Sequence, residues 1–160
     1  MRASTLAKTA AGVAATAVSG SVATDPSSAW YRSLRKPPFQ PPSAVFPVVW
    51  TALYADIALS GAAALDGLEE RVQEAERRRY LRAFTANLAL NAAWSWLFWR
   101  SRKPWIAAAE CALLAASSAD LVRRTGRASR AAGTALAPYA LWCTFATVLT
   151  AAIARRNPRA

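Results

Sequence analysis

The 160-residue chain contains no histidine, two cysteines, one methionine, and only nine acidic residues against twenty basic ones. The missing histidine removes the usual general base, zinc ligand and haem ligand together. Cys111 and Cys143, 32 residues apart, form no CxxC pair. Their spacing indicates neither a metal site nor a disulfide scaffold, and they read as small buried residues. Glycine-rich phosphate loops and nucleophile motifs are also missing, which leaves a conventional kinase, dehydrogenase or hydrolase unsupported. Disorder is excluded by a 54% hydrophobic content.

What is present is segregated. Forty alanines hold the mean hydropathy to +0.13 and mask long uncharged runs. Residues 9–24, 83–99 and 131–154 carry no charge, 43–65 carry only Asp56, and 104–122 carry only Glu110 and Asp120. A helix crossing a bilayer core needs about 20 mostly apolar residues. The expected fold is therefore all-α, a single five-helix transmembrane domain spanning residues 1–160. Its helices are placed near 6–24, 43–65, 79–99, 104–122 and 131–154.

Pro26, Pro37, Pro38, Pro41 and Pro42 mark 25–42 as an aromatic- and proline-rich loop without regular helix. Residues 66–82 form a charged connector with helical content, and Arg100–Lys103 and Arg123–Arg130 are short basic loops. Most Lys and Arg thus fall at segment ends, where they reach phosphate headgroups. No basic face with interleaved aromatics exists, so no nucleic-acid partner is expected. The two membrane sides hold 11 and 9 basic residues, too even a split to orient the bundle. The N-terminal segment has the outline of a cleavable signal. Its small residues Gly12, Ala15, Ser19 and Gly20 suit a retained, closely packed helix better.

Seven tryptophans stand at 30, 50, 94, 96, 99, 105 and 142. Trp99, Trp105 and Trp30 lie at segment ends, as interfacial residues do. Trp50, Trp94 and Trp142 lie inside their segments, where each indole N–H needs a partner within the bundle. Asn87 and Asn91 share a helical face, which Trp94, Ser95 and Phe98 extend; Trp50 and Tyr54 form a second stripe. Such residues either bind helices together or line a flat pocket for an amphipathic ring system, and spacing leaves both open. Asp56, Glu110 and Asp120 must face the bundle, pair or protonate. Asp120, near Arg123 and Arg124, reads as an ion pair.

Three blocks carry a resemblance. WYRSLRKPPFQPPSAVFPVVWTALY at 30–54, LALNAAWSWLF at 88–98 and PYALWCTFATVL at 138–149 resemble the translocator protein family, also called tryptophan-rich sensory or TspO/MBR proteins. That resemblance implies a five-helix bundle, often a homodimer, in a bacterial cell membrane. Its pocket for porphyrins and related tetrapyrroles opens under the first loop, with no obligatory cofactor and no metal. The family's ligand positions match Trp30, Tyr31, Phe39, Phe46, Trp50, Asn91 and Trp142, and Asn87 stands where the family often has Gln. Tyr54, Trp94, Phe98 and Ala146 complete the expected binding set.

Departures are equally specific. Phe39 replaces a commoner Trp, losing a donor, and Thr150 replaces Asn. Trp96 replaces Pro, which predicts a straighter third helix and a bulkier pocket wall. Ala151 and Ala152 occupy the place of the tyrosine in the sterol pattern, an argument against sterol; Asp56 is unexpected in the family. Without histidine, porphyrin binding is expected to be insensitive to the central metal. Two alternatives stay open. One is light- or oxidant-dependent porphyrin degradation with Trp50 and Trp142 as redox partners. The other is a non-catalytic stress-regulatory module acting through a protein partner.

Overall fold

A computed structural model describes residues 1–158, all helical or connecting, with no strand among them. Helix α1 (Ala3–Ala23) leads to a five-residue helix, α2 (Ala29–Ser33). Then come α3 (Val45–Glu70), α4 (Glu74–Ser95) with a π-helical turn at Trp96–Arg100, α5 (Pro104–Ala128) and α6 (Arg130–Arg156). The protein is an integral membrane bundle of five long helices, with α2 lying in the first connection. Helices α3, α5 and α6 are long and apolar enough to cross a membrane by composition alone. Helix α1, with 21 residues, is about 31 Å long. It reaches the same span on alanine, while α4 is diluted by its charged first turns and by Asn87 and Asn91.

Around the bundle, α1 packs between α3 and α4, α4 continues to α5, α5 to α6, and α6 closes back on α3. The N-terminal segment is thus a packed member of the bundle. Thr9 Oγ1 donates to the Ala58 carbonyl at 2.9 Å, and Arg2 binds Asp66 and Glu69 at the far end of α3. The tightest crossing joins α5 to α6, where Gly133 meets the backbone of Gly126. The main core runs between α3, α4, α5 and α6 through Ile57, Leu65, Phe84, Leu121 and Leu136.

Several local features differ from the sequence expectation. Residues 25–42 do contain a helical turn, because Pro26 and Pro37 leave ten residues free between them. Ser28 caps that turn by accepting the Tyr31 N–H at 3.3 Å. Arg123–Arg130 is not a loop. Arginine is a good helix former, so α5 runs to Ala128, and Ser129 alone joins it to α6 in an extended conformation. In place of regular α-helix at Trp96, the third long helix widens, and the Ser101 N–H bonds the Trp96 carbonyl five residues back at 3.0 Å. Trp96 faces outward, 43% exposed, with Nε1 donating to Ser19 Oγ of α1 at 3.1 Å. It therefore adds no bulk to a pocket wall, and Phe98 is the ring that is buried.

Between α3 and α4, Val72 sits at φ 56° and is 83% exposed. A β-branched residue is strained in that region, and no packing offsets the strain. Val72→Gly is expected to stabilise the protein by about 0.5–1 kcal/mol, the strain relieved less the extra chain entropy of glycine. A rise in the thermal midpoint in detergent checks this.

Candidate functional site

Short-range chemistry holds the first connection in place. Asp25 Oδ1 accepts both the Ser27 hydroxyl at 2.6 Å and the Ser27 N–H at 3.1 Å. The Ser27 hydroxyl holds the Asp25 carboxyl below the usual carboxylate range. Further along, Asn157 grips the Arg35 backbone at two points. Its Oδ1 accepts the Arg35 N–H at 2.9 Å and its Nδ2 donates to the Arg35 carbonyl at 3.0 Å. The connection is thereby fastened to the end of α6.

Beneath it the aromatic residues form two adjoining sets. In the first, Trp30 meets Phe98 edge-on at 5.5 Å, Trp94 stacks on Phe98 at 5.4 Å, and Tyr31 leans on Trp99 at 4.5 Å. Lys36 Nζ lies 3.9 Å over the Tyr31 ring, a cation–π contact, and Gln40 donates to the Tyr31 hydroxyl at 3.3 Å. Burial pushes the Tyr31 phenol up. In the second set, Phe46 meets Trp142 at 5.9 Å, and Trp142 leans on Phe145, which in turn touches Phe39. Trp50 lies against Tyr54 at 5.3 Å and Tyr139 at 6.5 Å. Phe46, Trp50 and Tyr54 are four apart along α3, so they present one stripe to α6. Ala146, half-buried one turn beyond Trp142, continues the facing stripe.

A polar chain lies below the second set. Tyr54 Oη donates to Asn91 Oδ1 at 2.9 Å, Asn91 Nδ2 donates to Tyr139 Oη at 3.1 Å, and Tyr139 Oη donates to Asn87 Oδ1 at 2.8 Å. Asn87 Nδ2 then donates to Ser118 at 3.0 Å and Ser117 at 3.2 Å. Four helices are connected through one run of bonds. Both donors of the Asn87 amide are spent on protein, whereas Asn91 keeps one N–H and lies nearer the rings. Trp94 Nε1 and both Glu110 oxygens are buried without a partner among the described residues.

The structure therefore gathers Phe46, Trp50, Tyr54, Asn91, Trp142 and Ala146 between α3, α4 and α6, leaves Phe39 half exposed in the connection against Phe145, and sets Trp30, Tyr31, Trp94 and Phe98 beside them. Tyr139, Phe145 and Asn157 join the site although spacing did not single them out. Tyr139 stands in the third sequence block, but its hydroxyl reaches partners only through packing. Asp56 accepts from Ser60 at 2.8 Å away from this set, and Asp120 binds Arg123 and, at 2.5 Å, Arg124. Both cysteines are free and buried. No cluster of three metal-ligating side chains occurs among the described residues. The arrangement offers ring faces, amide and phenol hydrogen bonds, and a basic rim at Arg32, Arg35 and Lys36.

Comparison with known proteins gives a consistent result. The model of the TspO/MBR family matches residues 7–156. A tryptophan-rich protein TspO of Chlorobaculum tepidum is 31% identical over 133 residues, 83% of this chain and 82% of its own. The translocator protein of Homo sapiens is 30% identical over 131 residues, 80% of this chain and 75% of its own. The tryptophan-rich sensory protein of Cereibacter sphaeroides is 31% identical over 129 residues, 80% and 77% of the two chains.

Proposed function

The chain belongs to the TspO/MBR family, and from that premise we propose that it is a receptor- or transporter-like protein for porphyrins and related tetrapyrroles in a bacterial cell membrane. One observation carries the reading: the facing stripes Phe46–Trp50–Tyr54 of α3 and Tyr139–Trp142–Phe145 of α6 over the Asn91 amide. A flat macrocycle presents two apolar faces and an ionised edge. Trp50 and Trp142 stack on the faces, Asn91 and the unspent Trp94 N–H supply hydrogen bonds, and Arg32, Arg35 and Lys36 meet the propionates. Each ring contact contributes about 1 kcal/mol beyond the area it buries. Because the rings now pack on one another, entry separates α3 from α6 beneath the connection at 24–44.

Titrating protoporphyrin into the detergent-solubilised protein is expected to quench its tryptophan fluorescence. Trp142→Leu should weaken that binding about tenfold, the loss of one stacked indole. Free-base and iron forms should bind within about threefold of each other, because no histidine is present to ligate the metal. Much tighter iron porphyrin would mean axial ligation and a different pocket. If nothing is quenched, the remaining reading is a regulatory membrane module acting through a protein partner.

A further inference from the structure

At the end of the bundle opposite the first connection, a cavity of about 330 Å³ opens between the α3–α4 connection and the last turns of α5. Three guanidinium groups line it, those of Arg71, Arg124 and Arg127, against one carboxylate, Glu76. Glu76 is already paired with Arg79 at 2.6 Å. Arg124 gives its Nε to Asp120 at 2.5 Å, a bond that does not use its terminal N–H groups. Arg71 Nη1 donates to the Arg127 carbonyl at 3.3 Å, so the end of α3 and the end of α5 are held together there. Neither Arg71 nor Arg127 has a carboxylate partner within 4 Å among the described residues.

The helix dipole accounts for an arginine in the last turn of α5. It does not account for guanidiniums from two helix ends converging on one cavity. Leu68 and Tyr80 close the inner wall, the Tyr80 hydroxyl being taken up by Thr125 at 2.9 Å. The exposed Val72 stands in the adjoining turn, where spanning helices reach the headgroup region. A neighbouring cavity shares Arg71 but sets Arg130 against the carboxylates Asp66 and Glu70, so its lining is of mixed charge where the first is dominated by arginine. The geometry points to a phosphate-binding site in the Arg71–Arg124–Arg127 cavity, taking a phosphate oxyanion bidentately as guanidinium groups do. An anionic phospholipid headgroup and a free phosphate share that chemistry.

The test uses the full chain reconstituted in phosphatidylcholine with and without phosphatidylglycerol, and native mass spectrometry to count retained lipid. The thermal midpoint is followed in parallel against inorganic phosphate, with chloride at matched ionic strength. Arg127→Gln and Arg71→Gln are compared with Arg78→Gln. The last removes an equal charge from the same end at an exposed arginine beside Glu74. A headgroup occupant gives preferential retention of phosphatidylglycerol that falls about tenfold in Arg127→Gln and Arg71→Gln but not in Arg78→Gln, with Arg127→Lys intermediate. A free phosphate occupant gives no lipid preference but a phosphate-dependent rise in midpoint, lost in the same two variants. If neither response appears, or if Arg78→Gln behaves like Arg127→Gln, the three arginines are only surface charge and the proposal is overturned.

Discussion

Replacing Gly133 with alanine is expected to cost about 2–3 kcal/mol, although alanine is the better helix former by about 1 kcal/mol. A Cβ built at Gly133 would lie 2.4 Å from Gly126 Cα and 2.6 Å from Gly126 N, with the Val122 carbonyl at 3.2 Å. Those are backbone atoms, and no rotamer change relieves them. Helices α5 and α6 would have to separate by an ångström or more along the crossing that buries Leu121, Leu136 and Cys143. The facing glycine makes the control. A Cβ at Gly126 meets only Gly133 Cα at 4.0 Å, an ordinary contact. Gly126→Ala should therefore hold or raise stability. Unfolding followed by helical circular dichroism in detergent, with SDS as denaturant, compares the two. Equal behaviour of both variants would mean that the helices do not cross so closely.

That asymmetry shows what the sequence carries and what it does not. The uncharged runs with basic ends were enough for an all-α membrane bundle, because placing a charge in lipid is costly whatever the packing. The three sequence blocks were enough for the family. Helix ends were less legible. The α5–α6 join is a single serine because Arg123, Arg124 and Arg127 favour helix, so charge marks where the membrane ends and not where the helix does. The π turn at Trp96 has no sequence signature, since it depends on seating Phe98 under Trp30 and on Ser19 receiving the Trp96 indole. Asn157 and Ser118 were invisible for the same reason. One completes a backbone pair 122 residues away, and the other accepts an amide 31 residues away. The candidate site was legible as helical stripes, but which stripes face each other is decided by how five helices close.

On the proposed function, the polar chain beneath those stripes lets effects on stability and on porphyrin affinity be told apart. Asn87→Ala is expected to cost about 2–4 kcal/mol of stability. The Tyr139 proton loses its acceptor in a fully buried position, and the removed amide leaves a void. Tyr139→Phe should cost less, about 1–2 kcal/mol, because the ring still fills its space while Asn87 and Asn91 each lose one bond. The double variant should fall short of the sum by about 1 kcal/mol, since both singles break the same link. Porphyrin affinity, measured well below the unfolding transition, should move the other way. Asn87 has spent both amide donors on Ser117 and Ser118, so its loss should change affinity less than threefold. Asn91 keeps an N–H and sits one turn closer to Trp94, so Asn91→Ala should weaken binding about tenfold, one hydrogen bond in a desolvated site. A reversed order, with Asn87→Ala abolishing binding at little cost in stability, would put the ligand deeper in the bundle, against Ser118 and Tyr139.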